Sequence, residues 1–126
     1  MAIRGWAGWL LLATFASSLG CNPCREEILN SSTSPDGKWT AVTVMRDCGA
    51  TTAEIVSINV RPADAQKLDA ENNAFVIKHE YATDVTWTSG NILTLRCRQC
   101  TAQDVLKKLD KVGPVKVIYD LPAGPS

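Results

Sequence analysis

Apolar side chains in this chain fall mostly at alternate positions, in short runs broken by polar clusters, and that period of two predicts strands. Lys38 to Arg46 (Lys-Trp-Thr-Ala-Val-Thr-Val-Met-Arg) is rich in β-branched residues and bounded by charge. Its apolar groups occur at both parities, Trp39, Ala41 and Met45 against Val42 and Val44, as expected of a central strand covered at least partly on both faces. Ala53 to Arg61 alternates more strictly, with Val56, Ile58 and Val60 on one side and Ser57, Asn59 and Arg61 on the other. Ala74 to Tyr81 sets Phe75, Ile77, His79 and Tyr81 to one face, which places the lone histidine among packed groups. Ala82 to Thr88 and Ile92 to Cys97 predict a hairpin around Ser89-Gly90-Asn91, with Val85, Trp87, Leu93 and Leu95 inward. Val115 to Leu121 predicts a last strand, and Glu26 to Leu29 a short first one.

Between these runs the turn chemistry is specific. In Ser34-Pro35-Asp36-Gly37-Lys38-Trp39, proline pre-sets φ, Asp bonds its own backbone and Gly accepts positive φ. Pro62 to Asn73 is a polar excursion, within which Ala63 to Ala70 predicts at most a turn or two of helix. One longer helix is predicted near the C-terminus. Thr101 reads as its N-cap with Asp104 in a capping box, Val105, Leu106, Leu109 and Val112 form the apolar stripe, and Gly113-Pro114 stops it. Lys107, Lys108 and Lys111 then suit the C-terminal end of the dipole and form a solvated face. The expected fold class is mainly β (α+β): a small antiparallel sheet of five to six strands with that helix packed on it.

The first twenty residues break the pattern. Arg4 is followed by an apolar run of eleven, Trp6 to Ala16, and then by Ser17-Ser18-Leu19-Gly20 before Cys21. Eleven residues span only about 16 Å as a helix, roughly half the hydrocarbon core of a bilayer, so the run reads as an export signal and not as a membrane span. Ser18-Leu19-Gly20-Cys21 resembles the lipobox of bacterial lipoproteins, in which cleavage precedes a cysteine that is then lipidated. The departure is Ser18, where that family usually has Leu. The layout expected is a signal peptide 1–20 that is removed, a lipidated stem 21–33, a β-rich domain 34–121 and a tail 122–126. The resemblance implies a palmitate-type lipid on Cys21 and attachment to the cell envelope; Asn22, rather than Asp, implies an outer-membrane destination in a host with two membranes.

Cysteine number fits that reading. Five cysteines are odd for an exported protein; with Cys21 given to lipid, Cys24, Cys48, Cys97 and Cys100 remain as an even set for an oxidising compartment. Four cysteines allow three connectivities, of which Cys24 with Cys48 and Cys97 with Cys100 is favoured. Charge adds little: 13 basic residues balance 13 acidic ones, so no field attracts nucleic acid. Removal of 20 of the 126 residues takes Arg4 and leaves 106, enough for one core that covalent ties would help.

Ser34-Pro35-Asp36-Gly37-Lys38, then Arg46-Asp47-Cys48-Gly49-Ala50-Thr51-Thr52 and the Val56-Ser57-Ile58 strand, resemble a family of small uncharacterised bacterial lipoproteins. The resemblance covers about residues 30 to 60 and, loosely, Val85-Thr86-Trp87; it implies export, the lipidated cysteine and a small β domain, and no activity. Cys97-Arg98-Gln99-Cys100 and the segment after it depart from that pattern.

Candidate chemistry is sparse. Cys97-x-x-Cys100 before a helix has the spacing of thiol–disulfide exchange motifs, but both cysteines precede the predicted cap and no βαβ alternation surrounds them. A zinc site from Cys24, Cys48, Cys97 and Cys100 has only one knuckle-spaced half, in a compartment that favours oxidation, so no metal and no cofactor beyond the lipid is expected. Asp47, Thr51 and Thr52 form a possible binding loop beside Cys48, with loop capping as the plainer reading. One histidine and scattered Asp residues assemble no catalytic triad, and no phosphate-binding glycine loop exists. The function expected is a lipid-anchored, non-enzymatic binding or structural module that touches the membrane through its lipid and, through an unknown surface, an envelope protein. The alternative is a membrane-tethered thiol–disulfide exchange protein using Cys97 and Cys100.

Overall fold

A computed structural model describes residues 24–49, 54–79 and 81–122. The signal segment, Cys21, Thr51, Thr52 and most of the tail therefore lie outside the described residues. The strands are β1 (Arg25–Thr33), β2 (Trp39–Asp47), β3 (Ile55–Pro62), β4 (Asn73–Lys78), β5 (Asp84–Ser89), β6 (Ile92–Arg96), β7 (Val105–Lys108), β8 (Lys111–Val112) and β9 (Val115–Asp120). They form a five-stranded sheet in the order β1-β2-β3-β4-β7 and a four-stranded sheet in the order β5-β6-β9-β8.

The chain is mainly β, as its alternation predicts, but it builds two sheets where one was expected. All pairings are antiparallel except that of β6 with β9. A parallel pair needs a long crossover. Here the crossover leaves the four-stranded sheet after β6, adds β7 to the five-stranded sheet, and returns as β8 and β9.

Residues on the inner faces of both sheets meet in one core. β2, β3 and β4 contribute Ala41, Met45, Val56, Ile58, Val60, Phe75 and Ile77; β6, β8 and β9 contribute Leu93, Leu95, Val112, Val115 and Val117. The hairpin of β5 and β6 turns at Gly90-Asn91 with Val85 and Trp87 packed inward, as its pattern predicts.

The helix expected after Thr101 is absent. A single 3-10 turn, Ala102–Asp104, is followed directly by β7 and then β8. Thr101 makes no side-chain cap; its hydroxyl donates to Asp104 Oδ2 (2.9 Å). The cause lies in β4, whose far edge would leave backbone donors and acceptors of buried Phe75 and Ile77 unpaired. β7 supplies them, in the register Phe75 with Lys108, Val76 with Lys107 and Ile77 with Val105. Leu109 N–H continues the pairing to Ala74 O (2.7 Å). Gly113-Pro114, expected as a helix stop, is the turn between β8 and β9, with Gly113 at φ 56°.

Two other expectations change. Residues 25–33, within the segment expected as stem, pair along the whole of β2, with Leu29 as a bulge. β4 ends at Lys78, so His79 is not a packed strand residue: its φ is 75° and its side chain is 48% exposed. The 62–73 excursion contains only the 3-10 turn Ala70–Asn72.

The Pro-Asp-Gly turn closes β1 onto β2. Gly37 N–H donates to Ser34 O (2.8 Å), and Ser34 Oγ donates to Asp36 Oδ1 (2.6 Å) while accepting from Trp39 N–H (3.1 Å). The carboxylate of Asp36 lies against Gly90, and the Trp39 ring lies against Gly113. One short sequence thereby joins the hairpin turns of both sheets at the same end of the sandwich.

Candidate functional site

Even-numbered residues of β2 turn away from the core, and cross-strand register carries that outer face across the sheet in rows. Glu26, Arg46, Ile55 and Lys78 form the row nearest Cys24 and Cys48. Ile28, Val44, Ser57, Val76 and Lys107 form the next, and Ser31, Val42 and Asn59 the third. The polar 62–73 segment folds back as a strap over the third row. Asn59 Nδ2 donates to Asp69 O (2.8 Å) and to Asn73 Oδ1 (2.7 Å), Lys107 Nζ donates to Ala70 O (3.3 Å), and Asn59 and Val42 are buried beneath. The backbone carbonyl of Asp69 fixes the orientation of the Asn59 amide, leaving Asn59 Oδ1 buried without a partner.

The strap reaches the second row at its Lys107 end and stops short of the rest of the first two rows. Between its rim and the sheet runs a groove of about 290 Å³, floored by Val44, Ile55, Ser57 and Val76 and flanked by Leu68, Glu26 and Arg46. Ile28 at its edge is 61% exposed and Leu68 37%. Arg46 Nε and Glu26 Oε2 stand 4.0 Å apart, both side chains more than half exposed, so the pair holds the mouth loosely. The sequence does not display this aliphatic floor with charged edges as a continuous motif. Its signal was the second parity of apolar groups on β2, but β1, β3 and β4 contribute by register, which composition does not reveal.

Of the predicted site residues, Cys24 and Cys48 stand at disulfide distance (Cα–Cα 4.1 Å), and so do Cys97 and Cys100 (Cα–Cα 5.5 Å). The first pair joins the start of β1 to the end of β2 at the surface. The second closes the end of β6 and is buried in the core. Asp47 Oδ1 accepts from Gly49 N–H (3.0 Å), a side-chain turn at the end of β2; Thr51 and Thr52, its predicted partners, lie outside the described residues. His79 Nε2 faces Asp104 Oδ1 at 3.9 Å and its ring lies 5.6 Å from that of Tyr81.

Among the described residues, two groups titrate away from their ordinary range. The hydroxyl of Ser34 and the N–H of Lys38 hold the Asp36 carboxyl below it. Burial raises the Tyr119 hydroxyl, which reaches the carbonyls of Leu109 (2.5 Å) and Ala74 (2.9 Å). Asp36 fixes a turn, whereas Tyr119 ties β9 to β4 and to the link after β7. No cluster of three or more metal-ligating side chains occurs among the described residues, and no helix among them is long and apolar enough to cross a membrane. The groove offers an apolar floor, two opposite charges at the mouth and a hydroxyl from Ser57.

No protein family, curated protein or solved structure matches this chain.

Proposed function

We propose that this chain is a lipid-anchored protein of the bacterial cell envelope that works without catalysis, as a binding or structural module fastened through Cys21. The observation that carries this reading is the use of the cysteines. Four of the five stand in two disulfide pairs, and the fifth lies directly after an export-type apolar run, in the lipobox-like Ser18-Leu19-Gly20-Cys21. Burial of Cys97 and Cys100 argues against the exchange alternative, because a partner thiolate must reach a sulfur in line.

Intact mass of the protein purified from a bacterial host tests the reading in one measurement. A chain beginning at Cys21, heavier by acyl groups and lighter by the four hydrogens of two disulfides, is the expected result. A chain still beginning at Met1, unacylated and reduced, overturns it.

A further inference from the structure

We infer that the uncovered half of the outer face of the five-stranded sheet is the surface with which this domain rests on the lipid bilayer. The inference deepens the proposed function and rests on lipidation of Cys21. Three residue steps separate Cys21 from Cys24, a reach of at most about 11 Å. The disulfide of Cys24 with Cys48 then pins that point to the ends of both β1 and β2, so the anchor is held within that reach of the sheet. The face that begins at this pinned point is also the one the strap leaves bare. Its first row starts two residues after Cys24, with Glu26, Arg46, Ile55 and Lys78, and its second brings Ile28, Val44 and Val76. The far half of the same face, around Asn59 and Val42, is the part that the strap covers.

Chemistry and area both select a bilayer as the occupant. Exposed Ile28 and Leu68 flank an aliphatic floor, with Arg46 loosely paired to Glu26 at its mouth and Lys78 beside Ile55 at the end of the first row. Aliphatic groups bordered by long cationic side chains such as Arg46 and Lys78 suit the boundary between headgroups and acyl chains. The bare patch spans four strands and about four residues along each, roughly 200 Å² from ordinary strand spacings. A stable protein interface needs about 800 Å² per partner. A tethered domain needs far less, because the anchor already holds it at high effective concentration.

The test labels lysines with an amine-reactive ester on the full lipidated protein, in detergent and in vesicles of phosphatidylethanolamine and phosphatidylglycerol. Lys78 lies on the proposed contact, whereas Lys116 lies on the outer face of the other sheet and Lys38 in the distant Pro-Asp-Gly turn. Labelling of Lys78 is expected to fall several-fold in vesicles while Lys116 and Lys38 are unchanged. Ile28→Asp, at an exposed site outside the core, is expected to restore it. Equal labelling of all three lysines overturns the inference. Protection of Lys78 that arises only in whole cells, and not in pure lipid, also overturns it and makes the face a protein contact. The mass of the N-terminal peptide, read in the same samples, separates these failures from a failure of lipidation itself.

Discussion

Asp36 holds its turn by accepting from the Ser34 hydroxyl and the Lys38 N–H, and both bonds favour the ionised carboxyl. A carboxyl whose folded pKa lies below its ordinary value of 3.8 contributes stability above that value and loses it as pH falls through the folded one. Asp36→Asn should therefore lower the urea midpoint at pH 7 and lower it much less at about pH 3, as denaturation at the two pH values would show. The same carboxylate restricts Gly90: a Cβ built there would lie 2.6 Å from Asp36 Oδ2. Gly90→Ala should destabilise the fold by about 1 kcal/mol, at the low end for overpacking. That penalty should vanish in an Asp36→Ala background, and a double-mutant cycle on thermal unfolding measures the coupling.

The two disulfides sit in opposite surroundings. Cys24–Cys48 lies at the surface and closes a separation of 24 residues, worth about 3.5 kcal/mol on the chain-entropy estimate. Cys97–Cys100 is buried and closes a separation of 3, worth about 2 kcal/mol on the same estimate. Titration of the native protein with reductant, followed by alkylation and peptide mapping, should open Cys24–Cys48 first and Cys97–Cys100 only on unfolding. Ready exchange of Cys97–Cys100 in the native state would favour the redox reading. Strand alternation was legible wherever one face was buried, as in β3 and the β5–β6 hairpin. It failed at 101–112, where Val105, Leu106, Leu109 and Val112 also fit a helical stripe and only the open edge of β4 decided for a strand. His79 misled for a related reason: parity extended the strand past Lys78, where the backbone turns to positive φ. The groove was illegible because its residues come from separate strands and meet only through register.

The two sheets are joined by more than the core. Trp87 packs inward from β5 and its indole N–H donates to Ser32 O on β1 (2.9 Å), tying the outermost strands of the two sheets together. Trp87→Phe keeps most of the apolar area and removes that donor, and should destabilise by about 1 kcal/mol in chemical denaturation. A loss near 4 kcal/mol, the size seen for deleting a buried aromatic, would mean that packing and not the tie dominates.

The route from β6 to β9 through the other sheet sets the order in which the molecule is completed. A polypeptide emerges amino end first, from the ribosome and again from an export channel, so β4 has no neighbour on its far side until residues 105–108 have emerged. For that interval the nascent chain displays Phe75 and Ile77 beside a row of unsatisfied amides, a template for aggregation. Truncation before Val105 should leave that template permanently open, so the last sixth of the polypeptide acts as the lid on its own middle.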